Sequence, residues 1–571
     1  MPNTQSFPRH PRPFGARLGP CAAAVALLCA STAAGSFEID TGNPDLAVRF
    51  DNTVRANYGV RAESRDSKIK NSAVADEGDY LFDKGDSVAK RLDLLSEIDL
   101  VYRKRFGARV SGAAWYDDAY GSDSKSIPIP PLSQIPSYEN NKFSSTTKRF
   151  YRGGSGELLD AFLFGGVDLG NVPVNAKLGR HTLYWGESIF LSGNLHGIAY
   201  AQNPLDLQKG FATPGVEAKE LFRPLNQFSV QAQVTDELSL AAQYMLEWEA
   251  ARYPEGGTYL GPVDFVFDGP DRQFLPGGLG FAQRGDPSEP DQSGEWGVSA
   301  RWSPEWLDGS LGFFYRNFSD KLPQVLLTQV GPNISRYNLV YADDIDLYGI
   351  SLSKNIGSVS VGAEVSYRHN TPLNTQVLGV APGLAGDGET KGARGDTWHG
   401  VLNGIGLIPK TPLFDQAAWV AELTWSHWSK VTSGKDLFMA KGYAPCEANG
   451  TSRPNDLGKW DGCTTKDFVG IGLGFTPTWF QVLPGVDLSA PLTYAVGVKG
   501  NAATVFGGNQ GLGNYTVGLG ADVLQKYRFD LKYIDFLGRY NDNGTSVTTQ
   551  NGLTTFLKDR GFVSLTFKAT F

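Results

Sequence analysis

From Leu46 the chain alternates between two classes of residue: Leu46, Val48, Phe50, Val54, Ala56, Tyr58 and Val60 in one phase, Arg49, Asp51, Thr53, Arg55, Asn57 and Arg61 in the other. A period of two sends successive side chains to opposite faces of a β-strand. One amphipathic strand would suit a soluble sandwich equally well, but here the pattern recurs along the chain. Phe228, Val230, Ala232 and Val234 return as Leu238, Leu240, Ala242, Tyr244 and Leu246, and Tyr348, Ile350 and Leu352 as Val359, Val361, Ala363, Val365 and Tyr367. Late in the chain, Tyr515, Val517, Leu519 and Ala521 precede Phe529, Leu531 and Tyr533. About eighteen strands can be placed, with about sixteen as the alternative.

The connections constrain the architecture further. Short ones, as around Asn355 to Ser358, alternate with long polar ones such as 118–156, 249–293, 369–396 and 428–466. Transmembrane barrels have this asymmetry, with short periplasmic turns and long extracellular loops. Charges on the strands fall mostly on the less apolar phase, where a water-filled lumen tolerates them. On the lipid face a Lys or Arg at mid-membrane costs about 2–4 kcal/mol. Strands in a bilayer must also satisfy every backbone group, which only a closed barrel does. The expected fold is therefore all-β: a closed antiparallel transmembrane β-barrel with a polar lumen.

The 571 residues open with Arg9, Arg12 and Arg17, an apolar run from Cys21 to Ala30 and small residues to Gly35. That order predicts a cleavable secretory signal over residues 1–34, with the barrel over 35–571. No later apolar stretch reaches the length of a transmembrane helix. The net charge of −8, with both signs interleaved, excludes a nucleic-acid surface. Two cysteines, Cys446 and Cys463, remain in the exported part. An oxidising compartment favours one disulfide closing a surface loop over a zinc pair, since no histidine lies near either.

The most unusual stretch follows the fifth strand: Gly179, Arg180 and His181 lead to Trp185, Gly186, Glu187 and Ser188, then to Asn203, Pro204, Glu220 and Arg223. Segment 185–223 mixes apolar and charged residues and reads as a piece inserted into the barrel as a constriction, with a cap over its mouth as the alternative. Arg180 falls in the outward phase, so either a bulge near Gly179 turns it inward or the strand ends before it. The candidate lumen and solute-contact residues are Arg49, Arg55, Arg61, Glu97, Asp99, Arg109, Arg180, Trp185, Glu187, Arg223, Arg301, Arg316, Glu364 and Arg368.

No catalytic motif, metal-spaced cluster or cofactor loop is legible. Gly153, Gly154, Ser155 and Gly156 lack the spacing of a hydrolase elbow. The acidic group Asp264, Asp268 and Asp271, and Asp542 with Asn541 and Asn543, read as solvated loop tips and lack the ligand spacing of a calcium loop.

Several stretches resemble a proteobacterial family known as domain of unknown function 1302: Phe37 to Asp40, Leu46 to Arg55, the cluster Asp79, Tyr80, Phe82, Asp83, Lys84 and Gly85, Arg91 to Glu97, Ala114 to Asp117, and Trp185 to Glu187. The resemblance spans essentially the whole mature chain. It implies an exported protein that sits in outer-membrane lipid and accompanies uptake or processing of hydrophobic, lipid- or sterol-like compounds. An RND-type inner-membrane transporter and a periplasmic lipid-binding protein are the implied partners. It brings no catalytic or binding residues to carry over.

The last strand places Val563, Leu565, Phe567, Ala569 and Phe571 in one phase. A terminal aromatic on such a strand resembles the signal read by the barrel-assembly machinery. Three functions are weighed: a channel or transporter for small hydrophobic or amphipathic molecules, a non-conducting binding or assembly protein of the cell envelope, and a lipid hydrolase that needs a Ser/His pair within hydrogen-bond reach.

Overall fold

The computed structural model describes residues 37–126, 136–213, 218–275, 280–329, 335–381, 392–449 and 455–571. The expected signal segment, residues 1–34, lies outside them. The wall strands are β1 (Leu46–Arg61), β2 (Ser87–Tyr102), β3 (Phe106–Asp117), β4 (Gly153–Leu169), β5 (Val172–His181), β6 (Leu225–Gln233), β7 (Leu238–Met245), β8 (Trp296–Trp302) and β9 (Gly309–Phe318). They continue as β10 (Ile345–Ile356), β11 (Val359–Pro372), β12 (Arg394–Ile408), β13 (Gln416–Ser433), β14 (Asp467–Leu483), β15 (Val486–Ser489 continued by Leu492–Lys499), β16 (Gly513–Val523), β17 (Tyr527–Leu537) and β18 (Phe562–Thr570).

Each strand pairs antiparallel with the next, and β18 pairs with both β17 and β1, so the sheet closes into an eighteen-stranded barrel. Phe571 extends the seam: its N–H donates to the Asn52 carbonyl at 2.9 Å and its carbonyl accepts from the Asn52 N–H at 2.7 Å. Phe37–Ile39 adds a short outlying pairing to β1.

The outer face is apolar and uncovered. Ile350 lies opposite Val365 and Leu402 opposite Leu423, all four exposed to about half their area. A soluble protein would bury such a band, whereas lipid is its natural neighbour. The inward phase of the same strands carries Glu364, Arg368, His399, Asn403, Glu422 and Thr424, all buried. No helix among the described residues is long and apolar enough to cross a membrane.

All long connections leave one rim and all short turns the other, as the loop rhythm requires. The long ones fold into a packed body. Arg272–Leu275, Gly280–Arg284, Ser335–Val340, Gln324–Gln329 and Gly379–Ala381, drawn from three different connections, form a separate mixed five-stranded sheet. The main hydrophobic cluster joins Trp248, Phe265, Tyr337 and Leu339 of these connections to Trp185, Leu195, Ile198 and Tyr200. The core of the molecule thus lies within the barrel's loop-side half, not between two sheets. The disulfide joins Cys446 to Cys463 inside connection 434–466.

One sequence expectation needs correction. Asp264 is not a solvated loop tip: it is buried beside Glu77, and its carboxylate accepts from the Glu77 N–H at 3.4 Å. The packing of connections 62–86 and 246–295 against one another removes it from water. Asp268 of the same group does stay exposed.

Candidate functional site: an inserted segment beneath an apolar cavity

Connection 182–224 leaves β5, passes into the barrel and returns to β6. Its neck is pinned by Asn203, whose Oδ1 accepts from the Leu183 N–H at 3.3 Å while its Nδ2 donates to the Leu183 carbonyl at 2.6 Å. The Trp185 N–H donates to Gln202 Oε1 at 2.8 Å, and Gln202 Nε2 donates in turn to Gln243 of β7 at 2.8 Å. The Trp185 indole packs against Phe314 of β9, ring centres 6.0 Å apart.

Between Trp185 and Tyr200 one short helix forms, Leu191–His196, so the backbone on either side of it has no ladder of its own. Unpaired amides at membrane depth are costly, and the wall supplies their partners. Glu364 of β11 accepts the N–H groups of Glu187, of Ser188 at 2.8 Å and of Ile198 at 2.6 Å. Glu422 of β13 accepts those of Ile189 at 2.7 Å and Phe190 at 3.0 Å.

Two guanidinium groups take the carbonyls. Arg316 of β9 donates to the Ile198 and Tyr200 carbonyls at 3.0 and 2.7 Å, and Arg368 of β11 to those of Leu195 and Gly197 at 3.1 and 3.0 Å. Arg368 also lies 4.1 Å over the Tyr200 ring, whose hydroxyl donates to Asp320 at 2.7 Å.

Two glycines make this approach feasible. Gly186 has φ +102°, and a Cβ there would sit 2.7 Å from a Glu364 oxygen. A Cβ on Gly193 would sit 2.1 Å from a Glu422 oxygen. A buried histidine pair adds a tie: His196 Nδ1 lies 3.0 Å from His399 Nδ1, His196 Nε2 reaches the Gly507 carbonyl at 2.7 Å, and His399 Nε2 reaches Thr397 at 2.8 Å.

The predicted residues therefore fall into three groups. Trp185, Glu187, Arg316, Glu364 and Arg368 converge on the inserted segment, where Glu187 meets Ser351 at 3.2 Å and Arg301 at 3.8 Å. Arg55 joins them from β1 through a bidentate pair with Glu220 at 2.9 and 3.0 Å. Arg61, Arg180 and Arg223 serve the loop-side connections instead. Arg61 pairs with Asp79 at 2.6 Å and Asp559 at 3.4 Å, Arg180 with Glu247 and Glu249 at 2.7 and 3.0 Å, and Arg223 with Glu249.

Around Arg180 neither expected alternative holds. β5 runs on to His181 with no shift in register on either side, and Gly179 adopts φ +119°. The third group lies nearer the short-turn rim: Asp99 and Arg109 form a half-exposed bidentate pair at 2.7 Å, with buried Glu97 two residues from Asp99 and Arg49 exposed opposite it.

Above the segment, on the loop side, lies a cavity of about 570 Å³. Its floor is Phe190, Leu191 and Leu195; Phe468 of β14 and Phe506 flank it, and connections 246–295, 319–344, 373–393, 434–466, 500–512 and 538–561 contribute with β14 to β17 of the wall. The inward positions Gly470 and Gly497 of the adjoining wall carry no side chain into it. The lumen is thus polar where the wall holds the segment and apolar above it.

Sequence reasoning missed Glu422, the contact between His196 and His399, and the cavity lining outside segment 185–223. Glu422 carries the same signal as Glu364, a mid-strand carboxylate in the polar phase. The lining comes from scattered loop positions with no period to read. A Ser/His pair exists, His181 Nε2 to Ser229 Oγ at 2.8 Å. Both residues are buried in the wall, the other ring nitrogen meets the Gly179 carbonyl at 3.0 Å, and neither lines the cavity.

The model of the family described as "Protein of unknown function (DUF1302)" matches residues 17–571. No curated protein matches the sequence. Similar solved structures include Acinetobacter baumannii OccAB2, at 10% identity over 94% of this chain and 99% of that one, TM-score 0.41. Pseudomonas aeruginosa OpdK with vanillate is 11% identical over 92% and 98%, TM-score 0.41. A BenF-like porin from Pseudomonas fluorescens Pf-5 is 9% identical over 94% and 99%, TM-score 0.38.

Proposed function

The chain belongs to the DUF1302 family, and on that premise we propose that it is an outer-membrane channel or transporter for small hydrophobic or amphipathic molecules of lipid- or sterol-like character. The observation that carries this reading is the largely apolar cavity of about 570 Å³ on the loop side of the inserted segment. Pockets that take drug-sized ligands run from about 300 to 1,000 Å³ and are mainly apolar. The uncovered apolar outer band supports residence in a bilayer, and the loop rhythm supports long loops outside and short turns in the periplasm. Cargo would rest in the cavity until segment 187–200 moves aside toward the polar short-turn half. A periplasmic lipid-binding protein and an RND-type inner-membrane transporter would act beyond that rim.

The test is uptake of the neutral apolar dye N-phenyl-1-naphthylamine, which an intact lipopolysaccharide leaflet slows. Cells expressing the protein should take it up several-fold faster than cells carrying an empty vector. Equal rates would refute the reading.

A second reading, a non-conducting binding or assembly partner, draws on the same inserted segment, because its backbone is bonded to four wall side chains, Arg316, Glu364, Arg368 and Glu422. It predicts unchanged dye uptake together with a specific envelope protein recovered by cross-linking.

A further inference from the structure

The cavity lining carries information about charge that the proposed function does not use. Among the described residues no Lys, Arg or His lines it, and the one ionisable carboxylate is Asp461. That carboxylate is already engaged, accepting from the Gly458 N–H at 2.9 Å and from Asn541 Nδ2 at 2.8 Å, with a further bond from Thr549. An anionic head group in this space would lose its hydration with no cation to replace it, and next to a like charge.

We propose that the cavity is a binding site selective for neutral apolar molecules and that it excludes carboxylates, sulfonates and phosphates. This rests on the reading of the barrel as a carrier of apolar cargo and adds the charge rule.

The test uses two dyes with the same aromatic frame, N-phenyl-1-naphthylamine and its sulfonated counterpart 1-anilinonaphthalene-8-sulfonate. Binding is followed by fluorescence with purified full-length protein in amphipol, against empty-amphipol controls. A cavity-filled variant, Val505→Trp with Leu553→Trp, changes two half-buried lining residues, and its fold is checked by heat-modifiable migration on a gel.

The neutral dye should bind the wild type and lose binding in the filled variant, with the sulfonate at least about tenfold weaker. Equal binding of both dyes, each lost on filling, would overturn the charge rule and leave the apolar-cargo reading standing. Neutral-dye binding unaffected by filling would overturn the site itself, while cell uptake judges the transport reading separately.

Discussion

At the scale of single residues, the inward charges of this wall act mainly on backbone. Glu364 and Glu422 accept five amides of one segment between them, and Arg316 and Arg368 donate to four carbonyls. Removing a carboxylate leaves two or three buried N–H groups unpaired, at about 1–3 kcal/mol each. The double variant Glu364→Ala with Glu422→Ala should therefore release the segment while the barrel itself stays closed. Single-channel recording should show conductance several-fold above wild type, with heat-modifiable migration intact; an unchanged conductance would mean that the segment does not block the lumen. Gly193→Ala should reproduce the Glu422 effect in part, because its Cβ would collide with that carboxylate. The sequence placed Glu364, Arg316 and Arg368 inside the barrel by phase alone. What each would bond to was not legible, since their partners lie more than a hundred residues away along the chain.

At the scale of elements, the loop-side connections behave as a folded body with its own chemistry. Glu255 of connection 246–295 is buried, accepting from the Gly269 N–H at 2.7 Å and from Gln208 Nε2 at 3.2 Å. Burial, with Asp268 adding to it, pushes its carboxyl from near 4.5 up to about 8. Burial likewise raises Glu77 of connection 62–86, with Asp264 adding to the effect. A raised carboxyl keeps its proton in the fold longer than in the unfolded chain. Its contribution is therefore fully present below pH about 4.5 and is lost as pH rises toward 8. Limited proteolysis of the loops should accelerate across that window, and Glu255→Gln should flatten the profile, with Gln208 turning its amide to match. A wild-type profile that is already flat would contradict the assigned burial.

The Cys446–Cys463 bridge spans 17 residues of connection 434–466 and is worth about 3 kcal/mol by loop closure. Reduction should loosen that loop, and because Met439, Pro445 and Leu457 line the cavity, it should weaken neutral-dye binding as well. The pairing could be read from compartment and cysteine count. The five-stranded loop sheet and the burial of Asp264 could not, because both arise where separate connections pack together.

At the scale of the whole molecule, the barrel was the most legible feature. A period of two fixes the faces, the alternation of short and long connections fixes the ends, and closure follows because backbone groups in lipid need partners. The lipid face makes its own prediction: Ile350→Arg, in the outer apolar band, should cost about 2–4 kcal/mol of folding free energy in vesicles near the midplane. A neutral result would place that band away from the bilayer centre. The interior was legible only in outline, because the cavity belongs to no single element and its apolar residues, among those described, come from seven connections and three strands.

Its role is tested most directly by the rate of N-phenyl-1-naphthylamine uptake in cells carrying wild type or the Val505→Trp, Leu553→Trp protein at matched surface levels. The structure predicts that wild type speeds uptake several-fold over empty-vector cells and that filling the cavity returns the rate to that baseline. Equal rates with wild type and filled protein would contradict passage through this cavity.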